Sequence, residues 1–213
     1  MVDKNTFLDA LLAHVPFDGW SVVSIAAAAA ELDVGDDVVR ALFPRGPVDA
    51  ALAYHQRGDE AMVARMAGDA FEALRYSEKI AAGVRYRLEA ADRELVRKGM
   101  ALFALPQNAA IGSGAVWGTA SLIWDTLGDT SRDVNWYTKR ATLSAVYSST
   151  VLFWLGDDSE GNAATWEFLD RRIDNVMQFE GFKRRAGGNP LVKAFLKGPG
   201  RILDHIKAPV GSK

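Results

Sequence analysis

Asp133-Val134-Asn135-Trp136-Tyr137-Thr138-Lys139-Arg140 opens a long helical pattern. Two large aromatics stand side by side, two cations follow, and residues 141–155 contain no charge at all. Side chains three and four apart share a helix face, so Trp136, Arg140, Leu143, Tyr147 and Trp154 form one stripe. Ala141, Ala145 and Ser148 form a stripe of small residues beside it. A helix apolar on nearly every side must be enclosed by other helices or by a partner. The stretch therefore predicts an all-α chain around a central helix. Its first eight residues read in two ways, as the start of that core helix or as exposed recognition surface. Adjacent Lys139 and Arg140 are costly to bury without partners, which favours the surface.

Working outward, the same period recurs on both sides. Asn108 caps a helix that carries Trp117, Ile123 and Trp124 and stops at Gly128. Its start, Gly112-Ser113-Gly114, consists of poor helix formers and is too short to cradle a phosphate. Gly156-Asp157-Asp158 closes the central helix, and residues 162–179 set Trp166, Leu169, Ile173, Val176 and Met177 on one face. At the front, Phe7, Leu8, Leu11, Leu12 and Val15 keep helical spacing until Pro16 and Gly19 stop it. Ser21 caps a second helix to Leu32, Val34-Gly35 turns the chain, and Asp36 caps a third reaching Phe43. That trio has the form of a helix-turn-helix unit. Pro47 starts a fourth helix to about Arg75, Ser77 caps a fifth to about Ala90, and Asp92 caps a sixth ending at Pro106. Runs of β-branched residues with period two are missing, so no strand is expected.

Three domains follow: a head (1–46), a helical body (47–182) and a tail (183–213). Residues 1–57 carry four Lys/Arg and eight Asp/Glu, whereas residues 171–213 carry ten and three. An acidic head thus precedes a basic tail. The tail begins as a flexible basic linker, Lys183-Arg184-Arg185-Ala186-Gly187-Gly188. Leu191, Val192, Phe195, Leu196, Ile202 and Leu203 then make an apolar face flanked by lysines, which fits a helix lying in the lipid headgroup plane. The same face could instead dock on the body or on a dimer mate; the Gly-Gly linker and the positive charge favour the membrane. The absence of cysteine excludes disulfides and fits a reducing compartment. No signal peptide is expected at the N-terminus, and no charge-free run reaches bilayer length.

Catalytic chemistry finds little support. His14, His55 and His205 fall on different elements, and no His-x-x-x-His or Glu-x-x-His pair exists to hold a metal. Asp157-Asp158 and Asp170/Asp174 read as capping or solvated carboxylates. Neither a cofactor nor a metal is expected.

The first 45 residues resemble the DNA-binding head of TetR-type regulators, anchored on Phe43. Against that pattern, Arg40 stands where the family usually has Tyr, and Asp33 takes the place of the turn glycine. Asp36 and Asp37 occupy the start of the recognition helix. Phosphate contacts need cations there, so these carboxylates would repel DNA. The head is expected to keep the shape without the task. The alternative is a TetR-family regulator that binds DNA and an apolar effector.

A second resemblance covers residues 5–180. Trp124-x-x-x-Gly128-Asp129-x-Ser131-x-Asp133-x-Asn135-Trp136-Tyr137-Thr138-Lys139-Arg140 is similar to the signature of the coenzyme Q biosynthesis accessory family. His14-Val15-Pro16, Leu42-Phe43-Pro44-Arg45-Gly46, Leu105-Pro106-x-Asn108 and Thr165-Trp166-x-Phe168-Leu169-Asp170 agree in order. The resemblance implies a TetR-like homodimer with a lipid-binding body, a partner in the di-iron demethoxyubiquinone hydroxylase, and a C-terminal amphipathic helix on the membrane. The protein would be non-catalytic, cytoplasmic and peripheral to the inner membrane. The hydroxylase patch would comprise Asp133, Trp136, Tyr137 and Arg140. One departure is Ser121, where relatives often carry an acid. A polyprenyl tail needs shielding, since each buried CH₂ is worth about 0.8 kcal/mol. Phe103, Trp117, Ile123, Phe153 and Trp166 are the candidate lipid contacts.

Overall fold

The computed structural model describes residues 2–187 and 207–209, with residues 179–187 described as backbone only. Among the described residues every regular element is helical. The chain divides into two units, Met1–Met62 with Tyr86–Val116 and Val63–Arg85 with Trp117–Lys213.

The first unit begins with α1 (Lys4–Asp18), whose N-cap Asp3 accepts the Thr6 N–H at 2.8 Å. Pro16 lies inside this helix rather than ending it. A proline one turn from the end removes a single ladder bond, and the stop is made by Gly19 at φ +68°. Ser21 and Ser24 cap α2 (Val22–Glu31) reciprocally, each hydroxyl accepting the other's backbone N–H. Asp33 follows at φ +51°, where the family pattern has glycine; an aspartate tolerates that left-handed geometry. The α3 helix (Asp36–Leu42) is capped by Gly35 without a side-chain bond. Asp36 and Asp37 therefore sit in its first turn, facing the positive end of the helix dipole, instead of capping it. Phe7, Leu11, Val15, Phe43 and Ala50 close the core, with the Phe7 and Phe43 rings 5.5 Å apart. Trp20 donates its indole N–H to the Leu95 carbonyl at 3.1 Å, tying the head to α7 (Arg93–Phe103), which Asp92 caps. The packing unit built on residues 1–46 thus extends beyond Gly46.

The α4 helix (Pro47–Met66) is shorter than its hydrophobic pattern predicts. Gly68, in an extended conformation, interrupts it, and a single turn, α5 (Asp69–Glu72), takes up the sequence expected to continue the helix. The α6 helix (Tyr76–Glu89) and α8 (Ala109–Thr126) follow the expected boundaries closely. The start of α8 is not loose. Gly112 lies within the helix, at a point where a Cβ would come 2.7 Å from the Phe103 Cβ.

The second unit is organised by α9 (Val134–Leu155) and α10 (Ala163–Gly187). The predicted stripe of α9 is buried in full: Trp136, Arg140, Leu143, Tyr147 and Trp154. Ala141, Ala145 and Leu152 are exposed along its other face. Asp157 anchors the start of α10, accepting the Thr165 N–H at 2.8 Å, the Thr165 hydroxyl at 2.6 Å and the Ser159 N–H at 2.9 Å. The Ser159 and Thr165 hydrogen bonds hold its carboxyl far below the ordinary range. Helix α10 continues through the predicted linker to Gly187, since Lys183, Arg184, Arg185 and Ala186 are good helix formers. The predicted membrane residues Leu191, Val192, Phe195, Leu196, Ile202 and Leu203 lie outside the described residues. No helix among the described residues is long and apolar enough to cross a membrane.

Candidate functional site

The first turns of α9 and the loop before them form a polar cluster in the second unit. Asp133 caps the helix, accepting the Asn135 N–H and side-chain amide at 2.9 Å each. Arg140, two turns further in, is 1% exposed. Its guanidinium donates to Asp125 at 2.7 Å, to Asp129 at 3.1 Å and to the Trp136 carbonyl at 3.2 Å. It also lies 4.1 Å from the centroid of the Trp136 indole. Lys139 donates to Asp129 at 2.6 Å and to the Ser131 hydroxyl at 2.8 Å, and stands over Trp124 at 5.4 Å. Burial works against charge on Asp129, but hydrogen bonds from Lys139, Ser131 and Arg140 outweigh it and hold the carboxyl below its usual value.

The expected surface site is therefore only half exposed. Trp136 is 8% exposed and packs against Trp117 at 5.9 Å and Tyr137 at 4.8 Å. Trp136 and Arg140 belong to the interior, because the cation finds two carboxylates, Asp125 and Asp129, on its own chain. Asp133 is exposed and Tyr137 half-buried. The structure gathers all four residues predicted for the patch within the first two turns of α9 and its cap. It adds Asp125, Asp129, Ser131 and Lys139. Residues 11 and 15 before Arg140 meet it only because the loop at 127–133 folds back, which helical periodicity does not encode.

The five candidate lipid contacts each have a packing partner. Phe103 belongs to the first unit and lies against Gly112. Ile123 is fully buried against Gly83. Trp117 meets Trp136 as described. Phe153, 38% exposed, stacks on Phe168 at 4.6 Å, with Arg172 over Phe168 at 5.0 Å. Trp166 donates its indole N–H to the Gly161 carbonyl at 2.8 Å, and Arg85 stands over its ring at 4.8 Å. Pattern alone showed these as apolar; the partners come from the fold.

Two features bear on other chemistries. In the first unit Arg87, 2% exposed, donates to Asp59 at 2.7 Å and to the His55 carbonyl at 3.0 Å. Burial, aided by Arg87, lowers His55 from 6.5 to about 4. Among the described residues no group of three or more His, Asp or Glu side chains is placed to hold a metal. In the head, Asp36, Asp37 and Arg40 are all exposed, so α3 presents two carboxylates where a recognition helix would meet phosphates.

Residues 109–180 match the model of the COQ9 family. By sequence, this chain is a relative of the COQ9 proteins. The mitochondrial ubiquinone biosynthesis protein COQ9 of Drosophila melanogaster is 34% identical over 185 residues, 83% of this chain and 56% of that protein. The counterpart from Xenopus tropicalis is 30% identical over 183 residues, 82% of this chain and 57% of the relative. The chain thus spans less than two thirds of the length of these COQ9 proteins. A crystal structure of a TetR transcriptional regulator from Nitrosomonas europaea ATCC 19718 superposes with a TM-score of 0.68 at 22% identity, covering 82% of this chain and 98% of the regulator. The fold is TetR-like. The stretch matched to the COQ9 model contains α8, α9, most of α10 and the whole Arg140 cluster.

Proposed function

We propose that this protein is a non-catalytic accessory of ubiquinone biosynthesis. It holds a polyprenyl quinone precursor in its helical body and presents it to a di-iron demethoxyubiquinone hydroxylase. The observation that carries this reading is the 34% identity to the Drosophila COQ9 protein across 83% of the chain. The chemistry agrees. A carrier of an almost insoluble tail needs apolar helices and a docking patch, and it needs no reactive group. Asp133 and Tyr137 would meet the hydroxylase, with Trp136 and Arg140 fixing their position from behind. The exposed Ala141, Ala145 and Leu152 of α9 would face a second copy in a homodimer. The C-terminal segment would touch the membrane, where each cation near anionic lipid contributes about 1 kcal/mol.

Organic extraction of the purified protein, followed by mass spectrometry, tests the lipid. A polyprenyl quinone or its precursor should be recovered in stoichiometric amount. Deletion of the gene should lower the ubiquinone pool and accumulate the hydroxylase substrate. An unchanged pool together with lipid-free protein would refute the proposal.

A further inference from the structure

The start of α9 makes a contact that its own sequence pattern does not announce. Residues 207–209 lie against it. The Ala208 N–H donates to the Arg132 carbonyl at 3.1 Å, and the Tyr137 hydroxyl donates to the Lys207 carbonyl at 3.1 Å. Both bonds use main-chain groups of the segment, so α9 reads its backbone rather than its side chains. The receiving groups are held in place beforehand. Arg132 immediately precedes the Asp133 cap. The Tyr137 ring stands edge-on to Trp136, which is clamped between Trp117 and the buried Arg140 guanidinium. Within the held segment Lys207 and Pro209 are exposed and Ala208 carries only a methyl group.

We propose that Arg132 and Tyr137 form a docking site for an extended peptide, and that the chain's own Lys207-Ala208-Pro209 fills it as an autoinhibitory strap. This rests on the reading of Tyr137 as part of the hydroxylase patch. The strap covers the hydroxyl edge of Tyr137, and a partner that uses this edge must first displace it. A receiving site fixed from behind favours exchange: the strap leaves without disturbing the Arg140 cluster beneath.

Two full-length variants test the strap and its consequence separately. Tyr137→Phe keeps the ring packing and removes the bond to Lys207. Trypsin should then cut between Lys207 and Ala208 about fivefold faster, the equivalent of one net hydrogen bond, while cleavage after Arg75 stays unchanged. An unchanged rate at Lys207 overturns the strap. Ala208→Pro removes the N–H that meets Arg132 and leaves every patch residue intact. It should bind immobilised hydroxylase several-fold more tightly than the parent chain. Equal affinity of the two overturns the inhibition and leaves the docking reading standing. Absence of binding by both forms overturns the docking reading, and the inhibition with it.

Discussion

Arg140 occupies a position that its residue type rarely takes. A guanidinium 1% exposed is tolerable only with its charge matched, and Asp125 and Asp129 do that; they and the Trp136 carbonyl take up its two terminal nitrogens, while Nε is buried without a hydrogen-bond partner. Removing the guanidinium takes from Asp129 one of its two cations and from Asp125, whose side chain is 41% exposed, its ion pair. Arg140→Ala should therefore cost about 2–3 kcal/mol of stability, read as a lower urea midpoint. Arg140→Lys should recover only part of this, since a point charge cannot bond two carboxylates and lie flat on an indole. Trp136→Ala belongs with it. The ring is core, and its loss should cost about 3–5 kcal/mol; a Trp136→Ala protein of unchanged stability would contradict that placement. Adjacent cations do argue for a surface when no partner is in view. Here the partners were present in the sequence as Asp125 and Asp129, but the loop that brings them round was not legible from spacing.

Helices were legible where a side chain announces them, their exact starts less so. Ser21 and Asp92 cap the helices that their positions predict, whereas Ser77 lies inside the first turn of α6. Asp36 does not cap α3, because Gly35 takes the cap and leaves the aspartate inside the first turn. Glycines were harder to read, since their role depends on what lies opposite. Within α8, Gly112 faces the Phe103 Cβ, whereas nothing lies within 4 Å of a Cβ placed on Gly114. Gly114→Ala should stabilise the protein by up to about 1 kcal/mol. Gly112→Ala should destabilise it by about 1–3 kcal/mol through overpacking. Thermal unfolding of the pair separates the two effects within one helix. The contact between α4 and α6 at His55 and Arg87 sets an acid limit. His55 falls from 6.5 to about 4 on folding, so the unfolded chain binds more protons between those values. Stability should be full above pH ~6.5 and fall by about 3 kcal/mol on acidification to pH ~4. His55→Gln should flatten this decline in urea titrations run at stepped pH.

At the scale of the molecule, helical periodicity and the absence of strand patterns were enough to reach an all-α fold, and the helix-turn-helix head was enough to reach a TetR-like one. The division into packing units was not legible, because it depends on which helices cross it rather than on composition. What the head does follows from charge. With Asp36 and Asp37 exposed on α3, duplex DNA should not be retarded at about 150 mM salt. Asp36→Lys combined with Asp37→Lys changes the helix by four charges. It should create non-specific binding that weakens steeply as salt rises. Sequence-specific binding by the parent chain would instead return the protein to the regulators whose fold it shares.

The indoles of Trp117 and Trp136 are 5.9 Å apart and inclined by 54°. Two like chromophores so close and so far from parallel couple electronically, and the near-ultraviolet circular dichroism of the folded protein should carry their signature. Tyr137 lies edge-on to one member of that pair and bonds to Lys207. The unlabelled protein thus contains its own optical gauge, in which departure of the C-terminal segment can be followed as a change of ellipticity in real time.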